Sequence, residues 1–167
     1  SFASWNADQD LTSALKNSVN WYFQELDARI GIRQIRNHIH KIGYGNERVI
    51  GDTDHYWADG GLKISPVEQV ELLQKFYNYT LDFAPEHIEA VKQAIRLESN
   101  GSGTLYGKTG TIGYGDSRIS GWLVGFVEQE NRTCFFAANI QDAANADGQT
   151  AWQITLDILA KLQIWHG

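Results

Sequence analysis

The chain has one cysteine, two prolines and no methionine among its 167 residues, and these shortages exclude several classes of structure. A lone Cys134 can form neither an internal disulfide nor a cysteine-ligated zinc site. Its neighbours Thr133, Phe135 and Phe136 favour a buried strand residue over a reactive thiol. No run reaches the roughly 18 apolar residues that a membrane span requires, and the first residues lack the apolar core of a secretory signal. Because the chain starts at Ser1 and lacks methionine, we expect a trimmed or partial polypeptide.

Basic residues are also scarce, with 14 Lys and Arg against 20 Asp and Glu, for a net charge of −6. No basic cluster reverses this balance, which excludes nucleic acid as the expected partner. Residues of the hydrophobic types make up 43% of the chain, which also contains six tryptophans, so disorder is excluded as well. We therefore predict a single, partial globular domain over residues 1–167.

Apolar residues recur every three or four positions in several segments, the pattern of helices that bury one face. Asp10 is a suitable N-cap for the first of them, and Gly43 ends the second, which begins near Ile32. Ser65, Pro66 and Glu68 form a helix-start signature for the third, and Pro85 opens the fourth. The predicted helices with defined ends span residues 11–30, 66–79 and 149–164.

Beyond Gly101 the apolar period changes to two, which predicts strands at residues 103–111, 118–128 and 132–140. The last two strands are expected to form a hairpin around residues 129–131. Consecutive strands followed by a helix predict an antiparallel sheet covered by helices, an α/β (α+β) sandwich. Residues 44–63 have no sustained period and are predicted to form a long structured loop, a kind of segment that is often functional.

The stretch from Gly107 to Thr111 combines a lysine, two threonine hydroxyls and two glycines on a predicted strand. Lys108 offers a positive charge for a carboxylate, and glycine allows another backbone to approach closely. A phosphate-binding P-loop also ends in Gly-Lys-Thr, but it needs a glycine five positions before Gly107. Gly101 and Gly103 each miss that position by one, and the glycines after Thr109 do not sustain a helix. The stretch therefore favours an anionic substrate lying along a strand edge.

Three other polar motifs precede this strand: Ser18-Val19-Asn20 in the first helix, Tyr44-Gly45-Asn46 at the start of the loop, and Trp57 within it. In this order, together with Lys108-Thr109-Gly110, they resemble the penicillin-recognising serine enzymes. The resemblance is to class D (OXA-type) β-lactamases and to the related extracellular β-lactam sensor domains. It covers nearly the whole chain and implies an antiparallel sheet covered by helices, of the β-lactamase/transpeptidase type and incomplete at the N-terminus.

The resemblance implies acyl transfer, in which a serine attacks the lactam carbonyl and water hydrolyses the acyl-enzyme. Ser18 would relay a proton to the leaving nitrogen, and Lys108, Thr109 and Thr111 would hold the substrate carboxylate. The Thr111 amide would donate to the oxyanion, and Trp57 would stabilise a carboxylated lysine that serves as the base. The strand-motif Gly110 and the second-motif Asn20 are also expected to contact substrate. Tyr44, Gly45 and Asn46 form a structural motif.

Three departures from the class D pattern affect this interpretation. Asn20 stands where the family usually has valine, and asparagine there resembles the sensor domains, some Gram-positive-type class D enzymes and the Ser-Asp-Asn motif of class A. Ala151 replaces an arginine of the last helix, so Arg118 or Lys108 is expected to take over that role. The only Ser-x-x-Lys, Ser13 to Lys16, stands too close to Ser18 to be the nucleophile motif of the family. We therefore expect the nucleophile and the carboxylated lysine upstream of Ser1, with no other cofactor.

The leading interpretation is a class D-like β-lactamase, with a β-lactam sensor domain or an inactive fragment as alternatives. A small-molecule β-lactam is the expected ligand, and an upstream segment, a partner chain or a swapped copy is expected to complete the fold. The resemblance implies a secreted or periplasmic location or the extracellular face of a membrane. Metal sites are not expected at His38-Ile39-His40 or at Asp52-Thr53-Asp54-His55, because neither segment has the spacing or ligands of a known metal motif.

Overall fold

A computed structural model describes residues 3–51, 53, 56, 57, 61–114, 117–142 and 145–167, with only the backbone of Tyr114, Ser117 and Arg118. The chain divides into two compact units, residues 1–68 with 75–94 and residues 69–74 with 95–167.

The first unit is helical. A short 3-10 helix, Ala3–Asn6, precedes α1 (Leu11–Lys16), α2 (Asn20–Ile30) and α3 (Ile32–Ile42), and α5 (Pro85–Ala94) completes the unit. The central residues of α4 (Pro66–Tyr77) belong to the second unit. α1 packs against α5, and α2 against α3.

The prediction of one helix over residues 11–30 is wrong, because the chain leaves the helix at Asn17 and begins a new one at Asn20. Ser18 adopts a left-handed backbone with φ of 52°. Its N–H donates to Leu15 O (3.3 Å), and the Val19 N–H donates to Ala14 O (2.9 Å). These two bonds form a Schellman motif, and the two apolar residues joined by the second bond, Ala14 and Val19, are both fully buried. Ser18 therefore lies at a helix junction, not inside a helix.

The start signals of the later helices are confirmed. The Ser65 hydroxyl and N–H both donate to Glu68 Oε2 at 2.7 Å, and the Glu68 N–H donates to Ser65 Oγ at 3.3 Å. This capping box satisfies backbone donors that the first turn leaves free, so α4 begins at Pro66 as expected. α4 ends at Tyr77, two residues earlier than predicted, because Tyr79 takes the left-handed conformation with φ of 57°.

The second unit is built on an antiparallel sheet with the strand order β1–β2–β3–β4. The strands are β1 (Arg96–Asn100), β2 (Gly103–Tyr114), β3 (Ser117–Glu128) and β4 (Thr133–Gln141). The two-residue β5 (Asn145–Ala146) runs parallel to β3. The three predicted strands and the fold class are confirmed, with each predicted boundary within three residues of its observed position. β1 and β5 were not predicted.

Helix α6 (Gly148–Lys161) covers one face of this sheet and forms the core with it. Leu105, Val127, Leu159 and Trp165 make up the buried cluster, and Trp152, Leu156 and Phe136 pack against it. The prediction that α6 packs through Trp152, Leu156 and Leu159 is confirmed. The core also uses Trp165, which lies beyond the end of the helix, where Gln163 turns the chain with φ of 55°.

Candidate functional site

The second half of β2 has one side that no strand covers within the part of the chain that the structure describes. β1 pairs with β2 only from Gly103 to Tyr106, whereas β3 pairs with β2 as far as Tyr114. The Gly107 N–H points toward the β1 side, since it donates to Ile95 O (2.9 Å). Backbone groups alternate along a strand, so the N–H groups of Thr109 and Thr111 also point to that side. The edge thus presents two amide donors in a row.

The Lys108 ammonium lies at the same edge. Its Nζ donates to Thr109 O at 2.9 Å. The side chain is half-buried, and this burial lowers the pKa of the ammonium group. A partly desolvated cation gains more from an anion than an exposed one does. Lys108 and the two edge amides therefore suit a ligand that carries a carboxylate.

Thr111 is held in place by α6. The Gly148 N–H donates to Thr111 Oγ1 at 2.9 Å, and Gly148 is buried against β2. A Cβ on Gly148 would lie 3.0 Å from Gly110 O and 3.0 Å from Thr109 Cβ. Thr109 and Thr111 therefore face α6, whereas Lys108 leaves the strand on the opposite face. Ala151, the position of the arginine in the family pattern, is fully buried in α6.

In the first unit, the Tyr44-Gly45-Asn46 segment closes the base of the loop. A Cβ on Gly45 would lie 1.9 Å from Lys63 O, so only glycine fits. The Asn46 side chain donates to Gly61 O (2.9 Å) and accepts from the N–H groups of Lys63 (2.9 Å) and Arg48 (3.2 Å). Its backbone N–H donates to Lys63 O (2.9 Å). These contacts give the segment a structural function, consistent with its expected role.

An open pocket of about 300 Å³ lies beside Trp57 and is lined by Asn20, Phe23, Asp27 and Tyr56. The Tyr56 phenol hydrogen-bonds the Asp27 carboxyl. Burial raises the pKa of Asp27, while the Tyr56 hydrogen bond acts to lower it. Burial and the nearby Asp27 charge raise the pKa of Tyr56 to about 12. The structure thus brings together two residues of the predicted site, Asn20 and Trp57.

The Asp27–Tyr56 pair and Gly148 were missed by the sequence interpretation. The signal available for Gly148 was the N-cap Asp147, whose carboxylate accepts from the Thr150 N–H at 2.8 Å. No local pattern signals the Asp27–Tyr56 pair, because its two residues come from a helix and a distant loop.

Ser13 is engaged at the start of α1. Its Oγ accepts from the Asp10 N–H (2.9 Å), and its own N–H donates to Asp10 Oδ1 (2.7 Å), which completes a capping box. The Asp10 pKa is lowered, first by this backbone hydrogen bond. A hydroxyl in this position has a helix-capping function, which supports the interpretation that Ser13 is not the nucleophile.

The structure describes the other predicted residues only in part. The backbone of Arg118 pairs with Gly113 in the sheet, and its side chain lies outside the described part. Ser18 and Trp57 belong to the first unit and Lys108 to the second, so their convergence on one cleft stays a prediction. His40 Nδ1 pairs with Glu47 Oε2 at 2.6 Å, and this hydrogen bond raises the pKa of His40. Asp52, Asp54 and His55 lie outside the described residues.

Among the described residues, no group of three or more His, Cys, Asp or Glu side chains could hold a metal ion. No described helix combines the length and the apolar character needed to cross a bilayer.

Comparisons with known proteins agree with this geometry. The profile of the penicillin binding protein transpeptidase domain matches residues 1–160. Regulatory protein BlaR1 of Bacillus licheniformis is 46% identical over 164 residues, which cover 98% of this chain and 27% of that protein. β-Lactamase OXA-48 of Klebsiella pneumoniae is 37% identical over 163 residues, which cover 97% of this chain and 61% of the enzyme. The C-terminal domain of the Bacillus licheniformis BlaR penicillin-receptor superposes with a TM-score of 0.92 at 45% identity, covering 99% of this chain and 67% of that one.

Proposed function

This chain belongs to the family of penicillin-binding protein transpeptidase domains, and we propose that it forms the larger part of a serine domain that is acylated by β-lactams. The observation that carries the proposal is the uncovered edge of β2. There the half-buried Lys108 ammonium lies beside the N–H groups of Thr109 and Thr111. A β-lactam offers a carboxylate for the ammonium and a carbonyl oxygen for the amides.

Each group has a distinct role in the proposed acylation. The Thr111 hydroxyl binds the substrate carboxylate on the α6 face of β2 through a charge-assisted hydrogen bond, and the Lys108 ammonium attracts it from the opposite face. The Thr111 amide stabilises the negative charge that develops on the lactam oxygen. Ser18 passes a proton to the leaving nitrogen, since a hydroxyl can accept one proton while it donates another. The nucleophilic serine and its lysine are proposed to lie upstream of Ser1.

The pocket beside Trp57 is proposed to receive the side chain of that upstream lysine. If this lysine is carboxylated, its carbamate supplies a base for deacylation, with the Trp57 indole as a donor. The amide of Asn20 and the carboxyl of Asp27 make this pocket polar. A nearby carboxylate favours a charged ammonium over the neutral amine that reacts with CO₂. The Asp27 carboxylate in this pocket therefore opposes carboxylation.

From this polarity we infer that the protein is a β-lactam sensor, in which the acylated state persists. The BlaR1 relative, a regulatory protein by name, supports the same conclusion. The sensor would present this domain at the extracellular face of a membrane. β-Lactam hydrolysis of the class D type is the second candidate, supported by 37% identity to a β-lactamase.

The experiment that distinguishes the sensor from the hydrolase uses the longer polypeptide that includes the residues upstream of Ser1. Intact mass spectrometry after incubation with benzylpenicillin measures acylation, and a chromogenic cephalosporin measures turnover. A sensor retains one acyl group with little hydrolysis, whereas rapid turnover would establish the enzyme. Asn20→Val is expected to speed deacylation, and Asn37→Val, the same change on the exposed face of α3, is its control. If no acyl group is found, the proposed function is wrong.

A further inference from the structure

We propose that Gly148 is a positioning residue for substrate binding, because its N–H fixes the Thr111 hydroxyl as a donor toward the substrate carboxylate. The inference rests on the proposed function and adds a residue that the family pattern does not contain.

The hydrogen bond from Gly148 determines what Thr111 can do. A threonine hydroxyl has one proton to donate and two lone pairs that accept. The Gly148 N–H, 2.9 Å away, occupies one of these lone pairs. Rotation of the hydroxyl about the Cα–Cβ bond would break this bond, so the oxygen is held at one position. Its proton is then directed away from Gly148, and Thr111 is an exposed residue.

Gly148 allows the first turn of α6 its closest approach to β2. The first turn of α6 lies directly on β2, and a Cβ on Gly148 would meet Gly110 O and Thr109 Cβ at 3.0 Å. These distances are a few tenths of an ångström shorter than side chains normally tolerate. Alanine here would require a shift of only a few tenths of an ångström, so its N–H would stay within hydrogen-bond reach of Thr111 Oγ1, which is now 2.9 Å away. Gly148 thus links the position of α6 to the substrate-binding strand.

The presence of alanine at position 151 explains why the contact between Gly148 and Thr111 matters in this chain. Ala151 is fully buried and carries no polar group, so it offers nothing to a carboxylate. Thr111 lies on the α6 face of β2 and has a hydroxyl available for this task. The orientation of that hydroxyl therefore contributes directly to how strongly a carboxylate is bound from the α6 side.

The test compares two substitutions of Gly148 in the longer polypeptide. Gly148→Ala adds a Cβ and keeps the N–H, whereas Gly148→Pro adds a Cβ and removes the N–H. Proline is suited to the first position of a helix, and Asp147, with φ of −129° and ψ of 170°, is extended as the residue before proline should be. Thr111→Val and Thr111→Ser form a second pair, in which only serine keeps the hydroxyl.

The measurement is the second-order acylation rate constant for benzylpenicillin divided by that for its methyl ester, which lacks the carboxylate charge. We expect this ratio to fall about tenfold in Gly148→Pro and in Thr111→Val, the effect of losing one hydrogen bond to a charged group. In Gly148→Ala and Thr111→Ser it should stay within about twofold of the original value. A merely structural role of Gly148 would lower both rates together and leave the ratio unchanged.

Hydrogen exchange provides a readout that does not depend on acylation or on the folding of the proline variant. The Gly148 amide should exchange faster in Thr111→Val than in Thr111→Ser, because only valine removes its acceptor. Equal exchange in these two variants, or an equal acylation ratio in Gly148→Pro and Gly148→Ala, overturns the inference while the proposed function stands. If the unsubstituted polypeptide is not acylated by either compound, the proposed function fails, and the inference fails with it.

Discussion

At the scale of single residues, Ser18 combines a strained backbone with a hydroxyl expected to take part in proton transfer. The left-handed conformation costs an L-residue about 1–2 kcal/mol relative to the right-handed one, whereas glycine adopts both. The helix that ends at Ile42 uses the same pair of hydrogen bonds with Gly43 in the left-handed position. The two helix ends thus differ mainly in the residue that adopts the left-handed conformation, which is Ser18 in one and Gly43 in the other.

This difference gives a matched pair of substitutions. Gly43→Ser should lower the free energy of unfolding by about 1 kcal/mol, since nothing lies within 4 Å of the added Cβ and only backbone strain changes. Ser18→Gly should remove that strain and at the same time abolish the proton relay. Urea denaturation measures the first effect, and acylation of the longer polypeptide the second. Undiminished acylation in Ser18→Gly would exclude Ser18 from the mechanism.

The Asp27–Tyr56 pair predicts a distinct alkaline titration. The pKa of Tyr56 is raised from 10.0 to about 12, so the folded state holds this proton more tightly than the unfolded state. Unfolding therefore releases a proton between these values, and stability is lost as the pH rises through this range. Ultraviolet absorbance of tyrosinate should show a transition near pH 12 that Tyr56→Phe removes, whereas the late titration of Tyr79, whose pKa is raised by its hydrogen bond to Glu89, should remain. Tyr22→Phe is the control, and an undiminished transition near pH 12 in Tyr56→Phe would contradict the assignment.

At the scale of elements, the hairpin of β2 and β3 depends on glycines that allow backbones to approach. A Cβ on Gly125 would lie 2.1 Å from Tyr106 O, a distance that no rotamer change relieves because the contacted atom is backbone. Gly125→Ala should therefore separate the strands and destabilise the chain by about 3 kcal/mol. Gly101→Ala is the control, because nothing lies within 4 Å of its Cβ, and we expect a change within about 0.5 kcal/mol. Thermal unfolding followed by circular dichroism compares the two, and equal midpoints would show that the sheet can adjust.

The elements also show where sequence patterns suffice and where they fail. The capping box at Ser65 and the alternation along β2, β3 and β4 are local signals, and both led to correct elements. The break at Ser18 has no such signal, because the apolar period continues across it and glycine is absent. β1 was missed because all five of its residues are exposed, so it shows no alternation and exists only by pairing with β2.

The residues of the candidate site also divide into those that a local sequence pattern indicates and those that it does not. Lys108, Thr109 and Thr111 were recognisable from residue types on a predicted strand. Their orientation was not, because it depends on which side of β2 is paired. Gly148 and the Asp27–Tyr56 pair are known only from contacts between distant segments.

At the scale of the whole molecule, this chain corresponds to 61% of the OXA-48 enzyme and 27% of the BlaR1 protein. Ile154 and Ile158 of α6 and Leu162, the C-cap that follows it, are 42%, 49% and 61% exposed, and they repeat every four positions. Such a stripe is suited to burial against further polypeptide. An upstream segment, a partner chain or a swapped copy is the proposed cover.

The 167-residue chain alone should not hydrolyse β-lactams. The proposed mechanism requires a nucleophile, and Ser13 is committed to capping α1. Loss of the nucleophile in a serine hydrolase lowers the rate by several orders of magnitude. Mass spectrometry after incubation with penicillin should find no adduct on this chain. An acyl group mapped to Ser13 would identify Ser13 as the nucleophile and overturn the proposed position of the active serine.

Asn46, at the start of the loop, hydrogen-bonds Gly61 and Lys63 at its end. These bonds hold the two ends of the loop together whatever the number of residues between them. Closing a flexible loop costs chain entropy that grows with the logarithm of its length, so that a doubling adds only about 0.6 kcal/mol. Away from Tyr56 and Trp57, residues can therefore be gained or lost between these anchor points at small cost in chain entropy, while both ends stay fixed to the helical unit. Proteins built on this arrangement are free to diversify the loop in length, provided that the asparagine at its base is kept.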